Sequence, residues 1–370
     1  MRVLITGGAG FIGSHLTDLL LTNGYSVRIL DNLTPQVHGR ERRRPPYLAD
    51  DAELVVGDVR DGEAIGYALR DVRAVVHLAA AVGVGQSMYD LSSYVGTNEL
   101  GTAILLEAIS RHPVERLIIA SSMSVYGEGL ARRHRGELVS PRQRSHEQIR
   151  RGVWEPTDAD GESLTPVATP EDKQPSLNSI YALNKYAQEQ MALIIGRAYH
   201  VPTVALRFFN VYGPRQALSN PYTGVLAIFA ARVMNGKPPL VFEDGQQRRD
   251  FVHVYDVARA CLLALETTTA QGCVFNIGSG RSRTVLSIAE DVARIAGKPW
   301  ITPHVTGRYR TGDVRHCFAD LALARSKLGY APQVDFRQGL EGLAEWLDGK
   351  VAEDRVDHAT AELESRGLVA

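Results

Sequence analysis

Cysteine is scarce in this chain: Cys261, Cys273 and Cys317 are the three in 370 residues, an odd number without CxxC spacing. That excludes a disulfide framework or a cysteine-built zinc site, and it leads us to expect a reducing compartment, the cytoplasm, and no metal. No apolar run approaches the ~18 residues of a membrane-spanning helix, and no basic segment with a cleavage site opens the sequence, so no membrane partner is expected. A surplus of either charge is also missing. Lys and Arg number 41 against 42 Asp and Glu, a formal charge of −1, which argues against nucleic acid or an anionic surface as partner. With 44% apolar and 22% charged residues the composition is that of an ordinary globular protein, with core enough for one large or two ordinary domains. No internal repeat is present.

Against these absences stands a glycine cluster near the start. Arg2 to Thr6 is a short apolar run, Gly7-Gly8-Ala9-Gly10-Phe11-Ile12-Gly13 follows, and Ser14 to Asn23 carries Leu16, Leu19 and Leu20 at helical spacing before Gly24. Strand, glycine turn and helix thus arrive in order. A second strand, Ser26 to Leu30, ends at Asp31, roughly 20 residues beyond the last glycine, as in a dinucleotide fingerprint. In such a fingerprint the glycines admit a pyrophosphate to the helix N-terminus, and the acid takes the ribose hydroxyls. The glycines read either as Gly8-x-Gly10-x-x-Gly13 or as Gly7-x-x-Gly10-x-x-Gly13. An acid at 31 repels a 2′-phosphate and no Arg lies in the loop, so NAD is expected rather than NADP.

Further strands are predicted at 53–56, 74–78, 116–121 and 203–208, with helices at 62–70, 98–110 and 181–199. The alternation implies a doubly wound, mainly parallel sheet with ligands beyond the carboxyl ends of the strands. Asp31, Asp58, Ala79-Ala80 and Ser122 all fall at such ends. On the last of these helices Tyr181 and Lys185 stand one turn apart on the same face. A phenol ordinarily loses its proton near pH 10, and a neighbouring cation favours the phenolate, so the pair is a candidate base for a substrate hydroxyl.

Residues 128–175 form an irregular stretch rich in arginine (Arg132, Arg133, Arg135, Arg142, Arg144, Arg150, Arg151), expected as a solvated insertion or, because it joins Ser122 to Tyr181, as a lid. Beyond residue 208 the alternation loosens. The loop Ser219-Asn220-Pro221-Tyr222-Thr223-Gly224 and amphipathic helices at 286–296 and 338–347 suggest elements devoted to the substrate, and 351–370 reads as a loosely docked tail or helix.

The set Gly7-x-x-Gly10-x-x-Gly13, Asp58-Val59, Leu78-Ala79-Ala80, Asn98-x-x-Gly101, Ser122, Tyr181-x-x-x-Lys185, Arg249-Asp250-Phe251-Val252-His253-Val254 and Arg310-x-Gly312-Asp313 resembles extended short-chain dehydrogenase/reductases of the nucleotide-sugar epimerase/dehydratase group. The resemblance implies a Rossmann-like α/β fold, a doubly wound parallel sheet with a smaller, mixed α/β C-terminal substrate domain. Its division would be 1–206 for NAD with the insertion 128–175, 246–281 partly returning to it, 207–245 and 282–348 for substrate, and 349–370 as a tail. It further implies Ser122, Tyr181 and Lys185 as the catalytic set. Phe11, Ile12, Asn32, Asp58, Val59, Leu78, Ala79, Ala80 and Asn98 would complete the NAD site begun by the glycines and Asp31. Ser87, Ser122, Ser124, Asn210, Arg249, Arg310 and Asp313 would hold a dTDP- or UDP-linked sugar, and a homodimer is implied. Group members that are 4,6-dehydratases place Asp-Glu where Met123-Ser124 stand here, and the related decarboxylases place Glu at 124; a dehydratase must protonate a leaving hydroxyl, which Met cannot do. Reversible oxidation at C4 is thus the expected chemistry. The stretches 121–129, 207–216 and 219–224 are similar to dTDP-L-rhamnose 4-epimerase-like proteins, although the cysteine pairs such proteins often carry in the insertion are missing.

Overall fold

The computed structural model describes every residue except Thr223, Val351 and Ala370, so one residue of the 219–224 loop and both ends of the 351–370 tail lie outside the description. Seven parallel strands make the central sheet, in the spatial order Val274–Ile277, Thr203–Phe208, Arg116–Ser122, Ala74–His77, Arg2–Thr6, Ser26–Asp31, Glu53–Val56. Their sequences are nearly continuous apolar runs because both faces are covered. Val3 and Ile5 point into one core with Ile118, Ala120 and the helices Phe11–Thr22 and Val254–Glu266. Leu4, Leu117 and Ile119, one residue out of phase, enter a second core with Ile65, Leu105, Ile109 and Ala192. The chain reverses direction across the sheet between Arg2–Thr6 and Ala74–His77, which opens a crevice at their carboxyl ends.

The helix predicted at 98–110 begins earlier. Helical backbone runs from Leu91 through a π-turn at Gly96–Leu100 into Gly101–Arg111. Glycines at 96 and 101 hide the start from a propensity reading, and the wide turn accommodates the extra residue.

A third core lies C-terminal to the sheet, where Phe229, Phe251, Ile288, Phe336 and Leu340 gather from the helices Val225–Met234, Val285–Ile295 and Phe336–Leu347 and the strand Arg248–His253. That strand pairs parallel with Asn210–Tyr212 and His316–Cys317 and antiparallel with Ser282–Thr284, giving the mixed character expected of this half.

The insertion is only partly the solvated surface expected. Arg132, Arg135, Arg142, Arg150 and Arg151 are exposed, but Arg144 is buried and donates to Glu243 at 2.9 Å. Arg315 meets Glu155 at 2.6 Å and Glu243 at 2.9 Å, and His316 meets Glu155 at 2.7 Å. These ion pairs fasten the insertion to the C-terminal half, since buried charges are tolerated only when paired. Nor is the tail loose. Its helix Val356–Ser365 docks through Arg308–Glu364 at 2.6 Å, and Arg366 lies over the Tyr89 ring at 4.4 Å.

Candidate active site

The glycine turn is shaped by close approach. Gly7 has φ of 70°, and a Cβ there would stand 2.8 Å from Ala79 N, so the turn after the first strand touches the loop after the fourth. A Cβ on Gly13 would lie 2.5 Å from both Gly7 O and Gly8 Cα. Gly13→Ala is therefore expected to force the turn open, at about 2 kcal/mol of overpacking, and to weaken NAD binding on the order of thirtyfold in calorimetric titration. Affinity equal to that of the unmodified protein would show that the turn does not carry the dinucleotide. The helix Phe11–Thr22 starts on Gly10 without a side-chain cap, leaving its first N–H groups toward the crevice.

Asp31 closes the second strand with its carboxylate turned back to the glycine loop, accepting from Ala9 N at 3.1 Å and Leu33 N at 2.9 Å. Burial raises its pKa, opposed by these hydrogen bonds and by His38. Asn32 donates to Asp58 at 3.0 Å, and Arg60 forks onto Asp58 at 2.8 Å with both nitrogens, which holds that carboxyl well below its usual range.

From this turn one cavity of about 700 Å³ runs across the strand ends to the C-terminal half. It is lined by Gly7, Gly10, Phe11, Ile12, Gly13, Asp31, Asn32, Val59, Leu78, Ala79 and Ala80, then by Ser122, Ser124, Tyr181, Lys185 and Asn210, as the sequence led us to expect. Six expected residues do not line it. Asp58 stands behind Val59 and Arg60, engaged with Asn32 and Arg60. Asn98, fully buried, spends its amide on the backbone of Ala81, accepting from its N at 2.7 Å and donating to its O at 3.0 Å. Ser87, also buried, accepts from Tyr181 N at 3.1 Å and donates to Val84 O at 2.6 Å, so it steadies the start of the helix that carries Tyr181. Arg249 gives its guanidinium to the carbonyls of Val314, Arg315 and Arg248. Arg310 is forked onto Asp313 at 2.9 Å and lies over Phe242 at 4.5 Å. In this structure those three face one another and their own backbone more than the cavity.

The catalytic end is set by two caps. Ser179 accepts from Ala182 N at 3.1 Å and starts the helix Ile180–Ala198. Ser122, the last residue of the fifth strand, accepts from Ser124 N at 3.2 Å and Ser124 Oγ at 2.9 Å and lines the cavity with Tyr181. Burial raises the Tyr181 pKa, and the Ser122 side chain pulls it back in part. Lys185 is pushed down to about 7 by burial, with Glu189 opposing, and its Nζ donates to Gln188 Oε1 at 2.7 Å. The expectation that the ammonium lowers the phenol is thus corrected for the protein alone. Desolvation disfavours the charged form of each group, and the amine is turned to Gln188.

Sequence reading missed several lining residues: Gln86, Asp90, Tyr94, Gln216 and Tyr222. Tyr94 is buried beside Tyr181, and the Tyr222 and Tyr89 hydroxyls meet at 2.6 Å. Gln216 and Tyr222 carried a signal, through the resemblance of 207–216 and 219–224; Gln86, Asp90 and Tyr94 carried none. Asn210 presents a buried Oδ1 without a hydrogen-bond partner, an acceptor left for a ligand.

A doubly wound dinucleotide sheet whose fifth strand brings a serine to a Tyr-x-x-x-Lys helix defines the short-chain dehydrogenase/reductase class. Within it the chain belongs to the NAD dependent epimerase/dehydratase family, whose description matches residues 3–147 and 158–278. It is 37% identical over 94% of both chains to a dTDP-L-rhamnose 4-epimerase of Burkholderia thailandensis. It is 34% identical to a dTDP-glucose 4,6-dehydratase of Streptomyces niveus, covering 94% of this chain and 92% of that one. Among solved structures it resembles the UDP-glucuronic acid 4-epimerase of Bacillus cereus, in complex with UDP-glucuronic acid and NAD, at a TM-score of 0.77 and 29% identity, covering 94% of this chain and 99% of that one. The residues present fit the family's cofactor: an uncapped helix N-terminus, a wall that includes Gly7, Gly10, Gly13, Ala79 and Ala80, and a carboxylate at the end of the second strand.

Proposed function

We propose that the protein is a nucleotide-sugar 4-epimerase acting through a transient 4-keto sugar, with dTDP-L-rhamnose and dTDP-6-deoxy-L-talose as the pair it interconverts. One observation carries this reading: the Ser122 hydroxyl and Tyr181 phenol line the same cavity as the glycine turn and Asp31.

Bound NAD supplies an oxidised nicotinamide, which takes and returns hydride and adds a positive charge to the pocket. The rest falls to the chain. Tyr181 removes the proton of the sugar 4-hydroxyl and later returns it, and Ser122 holds the same oxygen. Lys185 adds charge when protonated. Ala79 and Ala80, kept in place through Ala81 by Asn98, form the cofactor-side wall. Asn210, with its unmet acceptor, receives the sugar nucleotide, and Arg249 and Arg310 take its diphosphate only on leaving their backbone-carbonyl and Asp313 partners. On this reading residues 1–206 with 246–281 serve the cofactor, and 207–245 with 282–348 serve the substrate.

Two features favour a neutral deoxysugar without elimination chemistry. Met123 and Ser124 offer no carboxyl group beside Ser122, which disfavours loss of water. The Lys and Arg side chains that line the cavity, among the described residues, are Arg60, engaged with Asp58, and Lys185 of the catalytic set, so a sugar carboxylate meets no guanidinium of its own. Leu91, Val95, Leu100, Leu183 and Ile194 are exposed along the helical run Leu91–Arg111 and the helix Ile180–Ala198, which supports a homodimer through these helices. Free thiols at Cys261, Cys273 and Cys317 accord with the cytoplasm.

The test is incubation with catalytic NAD and a panel of dTDP- and UDP-sugars in D2O, followed by NMR. Inversion at C4 of dTDP-L-rhamnose, with no deuterium on carbon and no build-up of NADH absorbance, is expected. A dehydrated keto sugar, or a need for stoichiometric NADH, would replace the epimerase reading by a dehydratase or a reductase.

A further inference from the structure

Behind Lys185 lies a buried polar set that none of these steps uses. Gln188 is 0% exposed and, while its Oε1 takes the Lys185 hydrogen, its Nε2 donates to Thr102 Oγ1 at 2.7 Å. The Thr102 hydroxyl gives its own hydrogen to Asn98 O at 2.6 Å, so its oxygen accepts from its other neighbours. One of those is His77 Nε2 at 2.9 Å, which therefore carries the imidazole hydrogen. Nδ1 is then the acceptor for the Thr6 hydroxyl at 2.6 Å, and the Thr6 oxygen accepts from Ala79 N at 3.3 Å. The 3.4 Å approach of Gln188 Nε2 to His77 Nε2 is a meeting of two donors that share the Thr102 oxygen. A neutral ring is required, and burial with the nearby Lys185 pushes His77 down to about 3. Every hydrogen in the set has one direction. Both routes end on one loop: Thr6 on Ala79, and Asn98 on Ala81.

We infer that Gln188 is a positioning residue that fixes where the Lys185 amine stands, and that the path through Thr102, His77 and Thr6 sets this amine in register with the cofactor-side loop Ala79–Ala81. Glutamine is the side chain that suits the place. It offers an acceptor to the ammonium and a donor to an oxygen that has no hydrogen left to give. A glutamate lacks that donor and adds a charge. The inference rests on the reading of Lys185 as a member of the catalytic set. The titratable groups bearing on its amine are Glu189 and Tyr181 on its own helix and His77 on the fourth strand.

The experiment follows the Lys185 amine directly, in the full chain without NAD, by the pH dependence of its 13Cε resonance, assigned with Lys185→Met. NAD affinity is measured alongside by calorimetry. The wild-type midpoint is expected near 7. Gln188→Glu should raise it by about one pH unit or more. Gln188→Met, which removes the acceptor at similar volume, should shift it downward and weaken NAD on the order of tenfold. Thr102→Val, which frees the Gln188 amide to turn, is the third arm and serves if either variant fails to fold; it should also shift the midpoint. Unchanged midpoints and NAD affinity in the folded variants overturn the inference, as does a wild-type amine titrating at the ordinary lysine value. None of these readouts needs turnover, so a protein inactive on every sugar nucleotide would sink the proposed function and leave the positioning role decided separately.

Discussion

Replacing Tyr181 by phenylalanine is expected to lower turnover about a thousandfold, within the range that a positioned acid–base group contributes, with NAD affinity and thermal midpoint nearly unchanged. The ring keeps its packing, so only the hydroxyl is lost. The neighbours cannot take over its work. Ser122 already accepts from Ser124 N and Ser124 Oγ, so its own hydrogen is left to donate. A hydroxyl so committed is a donor to the phenolate or to a sugar oxygen, not a base. Lys185 is turned to Gln188. The pH profile gives a second readout. Because burial keeps the phenol protonated, the wild-type rate should climb with pH as Tyr181 ionises, and that limb should be absent from the residual rate of the variant. Turnover within about tenfold of wild type would remove Tyr181 as the base and with it the mechanism.

Most of the sheet was legible because its strands, apart from the edge strand Glu53–Val56, are largely buried on both faces, so composition marks them. Arg2–Thr6, Glu53–Val56 and Thr203–Phe208 stand where the sequence places them, Ser26–Asp31, Ala74–His77 and Arg116–Ser122 differ by one residue at the end, and Val274–Ile277 is a strand the sequence reading does not mark. The glycine turn, Asp31, Ser122, Tyr181 and Lys185 were legible because their chemistry depends on local spacing. What stayed hidden depends on contacts between distant segments. Ser87 and Asn98 look like ligand groups in sequence, but each is used up on backbone, Ser87 on residue 181 and Asn98 on residue 81. Arg144 reads as one of seven solvated arginines until Glu243 meets it from the C-terminal half. The ionisation of Tyr181 and Lys185 was misjudged for a related reason: helical spacing gives their separation but not the dryness around them, and dryness decides which charge survives.

A second large effect is expected behind the site, at a charge pair remote from any ligand. Arg207 on the sixth strand forks onto Glu189, with Nε to Oε2 at 2.9 Å and Nη2 to Oε1 at 2.7 Å, and both side chains are at most 5% exposed. Ser121 donates to the same carboxylate at 2.7 Å, and Arg207 reaches the Tyr126 hydroxyl at 2.9 Å, which in turn donates to Asn276 on the seventh strand at 2.6 Å. The pair thus joins the catalytic helix to three strands, one residue from Ser122 and one turn from Lys185. Arg207→Met leaves the Glu189 carboxylate buried with only the neutral donors Ser121 and Gln190, and a loss of roughly 3 to 5 kcal/mol in urea unfolding is expected, as when one member of a buried ion pair is removed. Adding Glu189→Gln should restore much of it, since the stranded charge and not the lost attraction carries most of the cost. If the double variant is instead no more stable than Arg207→Met, the pair stabilises by its geometry, holding helix and strands at a fixed distance. In that case catalytic turnover should fall with stability in both variants rather than recover in the second.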